Sequence, residues 1–147
     1  MGSERAEIEA LLPHRDPFLL VDRIVERGDD QLSTEWHVRE DLEVFRGHYP
    51  GNPLLPGVMI AEHALQSGAL LIYLGSDSKD DAGTPVLTRI EDARYKRMVR
   101  PGDTLATTVK LEEQLSTARF CSAVVRCEGE VVARLKFTLA LAPGEPT

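Results

Sequence analysis

The chain has 147 residues, of which 42% are hydrophobic and 28% are charged, and its formal net charge is −7 at pH 7. This composition excludes a disordered or low-complexity chain, and the negative charge disfavours binding to nucleic acid or to an anionic membrane through general electrostatics. We expect one domain over residues 1–147 and no conventional membrane span, because the sequence contains no run of about 18 uninterrupted apolar residues.

The N-terminal part predicts a short helix followed by a hairpin. Its opening residues, MGSERAEIEALLP, lack the positive charge and the continuous apolar stretch of a signal peptide, so we expect a cytoplasmic protein. Ser3 is a suitable N-cap for a helix over residues 4–12. Strands are predicted over residues 18–26 and 31–38, on either side of the turn-like sequence RGDD. Alternation in the second strand gives one face a common set of side chains: Leu32, Thr34, Trp36 and Val38.

The apolar segment VMIAEHALQSGALLIYL predicts a helix over residues 58–74. It is too long for a strand and has no internal proline, while Pro56 precedes it and Gly75 follows it. Apolar residues occur nearly all round this helix, which is typical of a helix covered on most sides. We therefore expect it at the centre of the structure.

The second half of the chain reads as strands. After an acidic loop at residues 76–84, strand patterns separated by turn signals cover residues 85–89, 93–99, 104–112, 118–128 and 131–141. A meander of this kind is antiparallel, and about six strands could curl around the one apolar helix, which predicts an α+β fold. Cys121 and Cys127 lie six residues apart on one strand face, which favours two free thiols over a CxxC pair.

A proline- and glycine-rich loop, GHYPGNPLLPG, leads into the predicted central helix and contains the first candidate for chemistry. Its restricted backbone can hold the imidazole of His48, a suitable base near neutral pH, against the start of the helix. Gly57 lies at that start, where unpaired N–H groups stabilise a carbonyl oxygen that gains negative charge. Glu62 follows within the helix, with Gln66 one turn further on and placed to hydrogen-bond the carboxyl group. A carboxyl group in an apolar channel tends to keep its proton, so Glu62 can act as an acid.

A base, an acid and an oxyanion site together suit removal of a proton next to a carbonyl group with loss of a β-hydroxyl group. Each feature also has a structural interpretation. A buried glutamate bonded to a glutamine is more often structural than catalytic, a single loop histidine is usually a polar loop residue, and a Pro/Gly loop before a helix is common. The combination of spacing and residue identity favours the catalytic interpretation.

Three segments carry a resemblance to a known family. The stretch FRGHYPGNPLLPGVMIAEHALQSG resembles the β-hydroxyacyl-acyl-carrier-protein dehydratases of the FabZ type, as do LLPHRDPFLLVDRIVE and YKRMVRPGDTL. The resemblance covers most of the chain from Leu11 onward. It implies the hot-dog fold, a curved antiparallel sheet wrapped around a long central helix, and a reversible dehydration of a (3R)-hydroxyacyl thioester to the trans-2-enoyl thioester.

The same resemblance assigns roles to matching positions. It implies that His48 is the catalytic base, Glu62 the acid, Gly57 the backbone donor to the thioester carbonyl, and Gln66 the residue that holds the acid. In this family one site takes its histidine and carboxylate from different subunits, which implies a homodimer with two shared sites, and these dimers often form a hexamer, a trimer of dimers. No metal or organic cofactor is implied beyond the phosphopantetheine arm that carries the substrate on acyl carrier protein.

The segment RYKRMVR is a basic cluster in an acidic chain. Because acyl carrier proteins are acidic and their arm bears phosphate, the cluster supplies candidate docking residues: Arg94, Lys96, Arg97 and Arg100. A solvated sheet face is the equally weighted alternative. Period two would separate Arg97 from the other three.

Two other functional classes stay open. A hot-dog acyl thioesterase would hydrolyse the same thioester, and a non-catalytic acyl-binding module would keep the channel without the chemistry. The other histidines, His14, His37 and His63, show no metal-ligand spacing, and we expect His14, in the PHR segment, to have a structural role. Asp16, Tyr49 and His63 depart from the family's usual residues, which leaves open the acyl chain length and the choice between fatty-acid and polyketide synthesis.

Overall fold

A computed structural model of the chain describes residues 2–75 and 83–143. The N-terminal helix α1 spans Gly2–Leu11. The helix begins before Ser3, so the prediction that Ser3 is its N-cap is wrong. Ile8 in α1 and Leu12 just after it have no exposed surface, and α1 contacts both the first strand and the central helix.

The first hairpin is present but its first strand is shorter than predicted. Strand β1 spans Arg23–Arg27 and pairs antiparallel with β2, Gln31–His37. The predicted strand began at residue 18. In the structure the backbone N–H and C=O groups of Leu20 are hydrogen-bonded to side chains of the central helix, so Leu20 does not pair with a strand. The predicted inward face of β2 is confirmed, since Leu32, Thr34, Trp36 and Val38 are all buried.

The central helix α2 spans Gly57–Leu74 and begins one residue before its predicted start. A 3₁₀ turn at Glu43–Arg46 and the Pro/Gly loop lead into it. Helix α2 has 18 residues and a mean hydropathy of 1.3, so by length and composition alone it could cross a membrane. However, 72% of it is buried inside the protein. It is the core helix that its all-round apolar pattern predicts.

The remaining strands are long: β3 spans Thr84–Tyr95, β4 Thr104–Leu115, β5 Ala118–Cys127 and β6 Glu130–Ala142. Together with the hairpin they form one antiparallel sheet in the order β1-β2-β4-β5-β6-β3. Its inner face covers α2, as the predicted α+β arrangement requires. The sheet leaves β1 and β3 as its two edge strands.

Strand β3 differs from the prediction. Residues 85–89 and 93–99 were expected as two strands, but one strand runs to Tyr95 with irregular register near Leu87 and between Glu91 and Arg94. Asp92 has a φ of 51°, so the acidic pair that reads as a turn lies at a bulge inside the strand. Residues 96–100 are consequently outside the strand. The predicted acidic loop at residues 76–84 lies almost wholly outside the described residues.

Candidate active site

His48 lies in the loop before α2 and is half-buried. Its Nδ1 atom is 2.8 Å from the carbonyl oxygen of Leu54. A carbonyl oxygen only accepts, so Nδ1 carries the hydrogen and the Nε2 atom of the neutral ring keeps a free lone pair. The ring also meets the edge of Tyr49, with 4.7 Å between ring centroids, and Tyr49 has a φ of 55°, which is uncommon for a residue other than glycine. The loop therefore fixes both the orientation and the tautomer of His48.

A cavity of about 480 Å³ opens beside this imidazole. Its lining residues come from the loop, the start of α2, the end of β3 and the segment after β3: His48, Leu54, Leu55, Gly57, Ile60, Tyr95, Lys96, Arg97, Met98 and Val99. Most of the wall is apolar, and burial raises the pKa of Tyr95, so its hydroxyl group stays protonated at neutral pH. This shape suits an acyl chain.

Gly57 is the first residue of α2, and it contributes its backbone to the cavity. The first helical hydrogen bond is made by the N–H of Met59 to the carbonyl of Pro56 at 2.9 Å, which leaves the N–H groups before it without a helical partner. A Cβ atom at Gly57 would lie only 3.2 Å from the ring of Tyr95. The absence of a side chain lets a ligand and the tyrosine approach the helix start closely.

Glu62 does not line this cavity. It lies near the start of α2, and its side chain points outward from the helix. The Nε2 atom of Gln66 donates to its Oε2 at 3.0 Å, and the Nε2 atom of His14 lies 3.7 Å from the same oxygen. The side chains of Glu62 and His14 are 26% and 27% exposed. Val58, one turn before Glu62 on the same side of α2, is 77% exposed. The carboxyl group thus faces an open surface with an apolar residue beside it.

Sequence reasoning gave His14 a structural role and did not connect it with Glu62. The guanidinium of Arg15 donates to the carbonyls of Glu9, Leu12 and His14 at the end of α1, and this ties down the loop that presents the imidazole. In the part of the chain that the structure describes, the buried Nδ1 atom of His14 has no hydrogen-bond partner. No local sequence pattern signals this contact, because it joins a loop to a helix.

The four central candidates are therefore divided between two places. His48 and Gly57 line the cavity, whereas Glu62 and Gln66 form a separate cluster with His14. Gln66 also donates to the carbonyl of Phe18 at 2.9 Å, and its Oε1 atom accepts the N–H of Leu20 at 2.8 Å. The amide of Gln66 is consequently held in one orientation, with its NH₂ group toward the acid.

The predicted basic cluster is also divided. Arg97 donates to the carbonyl of Cys127 at 3.0 Å, and Arg100 donates to Asn52 at 2.8 Å. Arg94 and Lys96 instead line a cleft of about 440 Å³ on the outer sheet face, together with Asp92 and two basic residues of β6, Arg134 and Lys136. Lys96 lines the His48 cavity as well. Arg97 is separate from Arg94 and Lys96, as expected from period two, but Arg100 does not lie with those two because the strand ends at Tyr95.

Other reactive groups do not form a second site. Among residues 2–75 and 83–143, no group of three His, Cys, Asp or Glu side chains is placed to hold a metal ion. Cys121 and Cys127 are free and buried, and burial raises the pKa of Cys121 to about 12. The protonated thiol is a poor nucleophile at neutral pH.

Comparison with known proteins links the chain to one family. A family model described as a FabA-like domain matches residues 12–136. A 3-hydroxyacyl-[acyl-carrier-protein] dehydratase FabZ from Thermotoga neapolitana is 37% identical over 135 residues, which are 91% of this chain and 94% of that protein. The FabZ of Chloroflexus aggregans is 49% identical over 108 residues, or 72% of this chain and 73% of that protein.

Solved structures share the fold. A dehydratase heterocomplex from Xenorhabdus doucetiae superposes with a TM-score of 0.74 at 18% identity, covering 92% of this chain and 90% of that chain. A mutant thioesterase from Pseudomonas aeruginosa gives a TM-score of 0.71 at 19% identity, covering 95% and 94%. The hot-dog fold is thereby confirmed. Since one neighbour is a dehydratase and the other a thioesterase, the fold alone does not distinguish the two reactions.

Proposed function

The chain belongs to the FabA-like family and is a 3-hydroxyacyl-[acyl-carrier-protein] dehydratase of the FabZ type, and from this premise we propose how its residues perform the reaction. The enzyme removes water from a (3R)-hydroxyacyl thioester on acyl carrier protein during fatty-acid biosynthesis. The observation that carries our proposal is that the Nε2 atom of His48 and the backbone N–H of Gly57 share one cavity, and neither has a hydrogen-bond partner among the described residues.

His48 is the base in this proposal. Its Nε2 atom takes the proton from the carbon next to the thioester carbonyl, and the electron pair of that C–H bond moves toward the carbonyl oxygen. The hydrogen bond from Nδ1 to Leu54 keeps the lone pair on the correct nitrogen and stabilises the imidazolium that forms. The N–H of Gly57 donates to the oxygen that gains charge, aided by the positive end of α2.

Glu62 completes the elimination. The enolate-like electron pair forms the new C=C bond as the β-carbon releases its hydroxyl group, and the carboxyl group of Glu62 donates the proton that turns it into water. His48 then returns its proton to the now ionised Glu62 through solvent, so the cycle balances without a redox step. The substrate's phosphopantetheine arm is the only organic group that this chemistry requires.

The separation of the two side chains supports a site shared between subunits. His48 opens into its cavity and Glu62 into a different surface of the same chain. A second copy can bring the two together through β3, the exposed edge strand. Its large apolar side chains are between 41% and 48% exposed: Val86, Leu87, Ile90 and Tyr95. Pairing two β3 strands would satisfy the open backbone edge and cover these side chains.

A subunit-mixing experiment tests the shared site. The variants His48→Ala and Glu62→Gln each lose about 10²–10⁴-fold in kcat as homodimers, which is the usual contribution of an acid or base. When the two are mixed and allowed to exchange subunits, half of the dimers are mixed, and each mixed dimer has one intact site. We expect about a quarter of wild-type activity, measured by enoyl absorbance with a 3-hydroxyacyl thioester.

Two differently tagged preparations of His48→Ala, mixed in the same way, are the matched control and should stay inactive. Isolation of mixed dimers that have no activity would contradict the shared site. Release of free thiol in place of enoyl product would identify the thioesterase alternative. Assembly of three dimers into a hexamer and a cytoplasmic location are further parts of the proposal.

The carrier protein is proposed to dock on the outer sheet face beside the cavity. We define the outer basic cleft as Arg94, Lys96, Arg134 and Lys136; all four are exposed. Within residues 2–75 and 83–143 these four side chains form no ion pair, so their charge is available to an acidic partner. Lys96 borders both cleft and cavity, which places an anion in the cleft next to the entrance for the acyl arm. Arg97 and Arg100, engaged within the chain, are then less suitable for docking.

A further inference from the structure

His63 follows the acid Glu62 and has no exposed surface. Its Nδ1 atom is 2.7 Å from the carbonyl oxygen of Leu20, and its Nε2 atom is 2.8 Å from the Oγ1 atom of Thr107 on β4. The carbonyl can only accept, so Nδ1 donates to Leu20 and Nε2 accepts from the hydroxyl of Thr107. Both ring nitrogens are satisfied by the neutral ring, in one tautomer.

Leu20 lies in the extended segment before β1 and has no strand partner. Two side chains of α2, three residues apart, bind its backbone instead. His63 holds its carbonyl, and the Oε1 atom of Gln66 accepts its N–H at 2.8 Å. The position of this single peptide segment therefore depends on His63 as well as on Gln66.

Gln66 links Leu20 to the acid. Because its Oε1 atom is occupied by the N–H of Leu20, its NH₂ group must point the other way, where it donates to Glu62 at 3.0 Å. If Leu20 moved, the amide would lose one of the two backbone contacts that fix its orientation, and the other, to the carbonyl of Phe18, lies two residues away on the same segment. A rotated amide would present its oxygen in place of its NH₂ group, so Glu62 would lose the donor that holds its Oε2 atom.

We propose that His63 is a positioning residue for the acid, acting on Glu62 through Leu20 and Gln66. The inference rests on the proposed role of Glu62. It assigns a function to His63, which the sequence analysis identified only as a departure from the family's usual residue. Loss of the His63–Leu20 hydrogen bond should weaken the transfer of a proton to the departing hydroxyl group, while the His48 cavity, where the acyl group binds, stays unchanged.

Two amide substitutions separate the two hydrogen bonds of His63. In His63→Asn the amide nitrogen lies near the Nδ1 position and can still donate to Leu20. In His63→Gln the amide reaches the Nε2 position and meets Thr107, so the carbonyl of Leu20 loses its donor. We expect His63→Asn to keep kcat within about threefold of wild type and His63→Gln to lose about 10- to 100-fold in kcat, with KM within about twofold in both.

A second readout is the pH dependence of kcat. Because Gln66 contacts Glu62 directly, loss of that contact should change the shape of the kcat profile in His63→Gln, which a loss of fold stability alone would not do. Thr107→Val is the structural control, because it removes the other hydrogen bond of His63 and lowers the melting temperature without touching Leu20. We expect it to keep the kcat and the pH profile of the wild type.

A double-mutant cycle with Gln66→Leu completes the test. If His63 acts through Gln66, His63→Gln should cause no further loss of kcat, to within about twofold, in the Gln66→Leu background. Equal losses of kcat in His63→Asn and His63→Gln, or full additivity in the cycle, would overturn the inference. Full activity of Glu62→Gln would instead refute the acid role in the proposed function, so the two failures are distinguishable.

Discussion

The protonation of His63 links this residue to the stability of the fold. Complete burial lowers its pKa from the ordinary 6.5 to about 4. The folded chain therefore keeps this ring neutral at pH values where the unfolded chain binds a proton. The stability that His63 contributes is complete above pH 6.5 and is lost as the pH falls toward 4.

We predict that acid weakens the wild type more than the His63→Asn variant. Between pH 7 and pH 4.5, the wild type should lose roughly 2 kcal/mol of unfolding free energy through this group, and the variant should not. Urea titrations of both proteins at one fixed protein concentration measure the difference. The same pH dependence in both proteins would contradict the burial of a neutral His63.

At the residue scale, helical spacing made part of the site predictable. Glu62 and Gln66 are one turn apart on a helix, so their contact follows once α2 is recognised. The contact of His14 with Glu62 joins a loop to a helix, and no local pattern gives the path of a loop. His63 was noticed only as an unusual residue, because its partners Leu20 and Thr107 are more than 40 positions away in sequence.

At the element scale, a strand is predicted well from sequence when one of its faces is buried and the other is exposed. Strands β2 and β5 alternate between buried and exposed residues, and both were predicted to within two residues at each end. Strand β3 is exposed on both faces for nearly its whole length, so its residues carry no period-two signal. The acidic pair at its centre then reads as a turn, although the chain continues as one bulged strand.

The packing of α2 against the sheet gives a second prediction, at Gly68. A Cβ atom there would lie 2.7 Å from the ring of Phe137, which is 1% exposed and has no space to move. We expect Gly68→Ala to destabilise the fold by about 1–2 kcal/mol, since overpacking of about 1–3 kcal/mol exceeds the gain of up to about 1 kcal/mol in helix propensity.

Thermal or urea unfolding measures this change, and Gly57→Ala is the matched control. Its Cβ atom would lie 3.2 Å from the ring of Tyr95, but this ring is 48% exposed and can turn away. The unfolding free energy of Gly57→Ala should therefore stay within about 0.5 kcal/mol of wild type. A neutral Gly68→Ala would show that α2 sits less tightly on β6 than the structure indicates.

At the scale of the whole molecule, charge is unevenly distributed. The chain carries a net charge of −7, yet the outer basic cleft collects four positively charged side chains beside the cavity entrance. The sequence pointed to two of its members but not to Arg134 and Lys136. Arg134 and Lys136 lie on β6, which pairs with β3 in the sheet, and Arg94 and Arg134 are Cα partners. The sequence alone does not give this pairing.

We predict that Lys136→Glu together with Arg134→Glu lowers kcat/KM for a substrate on acyl carrier protein by about tenfold or more at low salt. The effect should shrink at higher ionic strength because screening weakens the attraction. The same acyl group on N-acetylcysteamine has no carrier to dock, so its kcat/KM should be unchanged. Arg27→Glu, on the opposite edge strand β1, is the control and should leave both substrates unaffected.

The hydrogen bonds between α2 and the inner face of the sheet also define how the helix is aligned. Thr34 and Thr107 are neighbours on adjacent strands, and they contact Ser67 and His63, one turn apart on the helix. Apolar side chains would tolerate a helix that slid or turned by one residue, but such a shift would break both of these buried hydrogen bonds. These two polar contacts therefore select one alignment of helix and sheet, and each of them alone is enough to mark it if the other is removed.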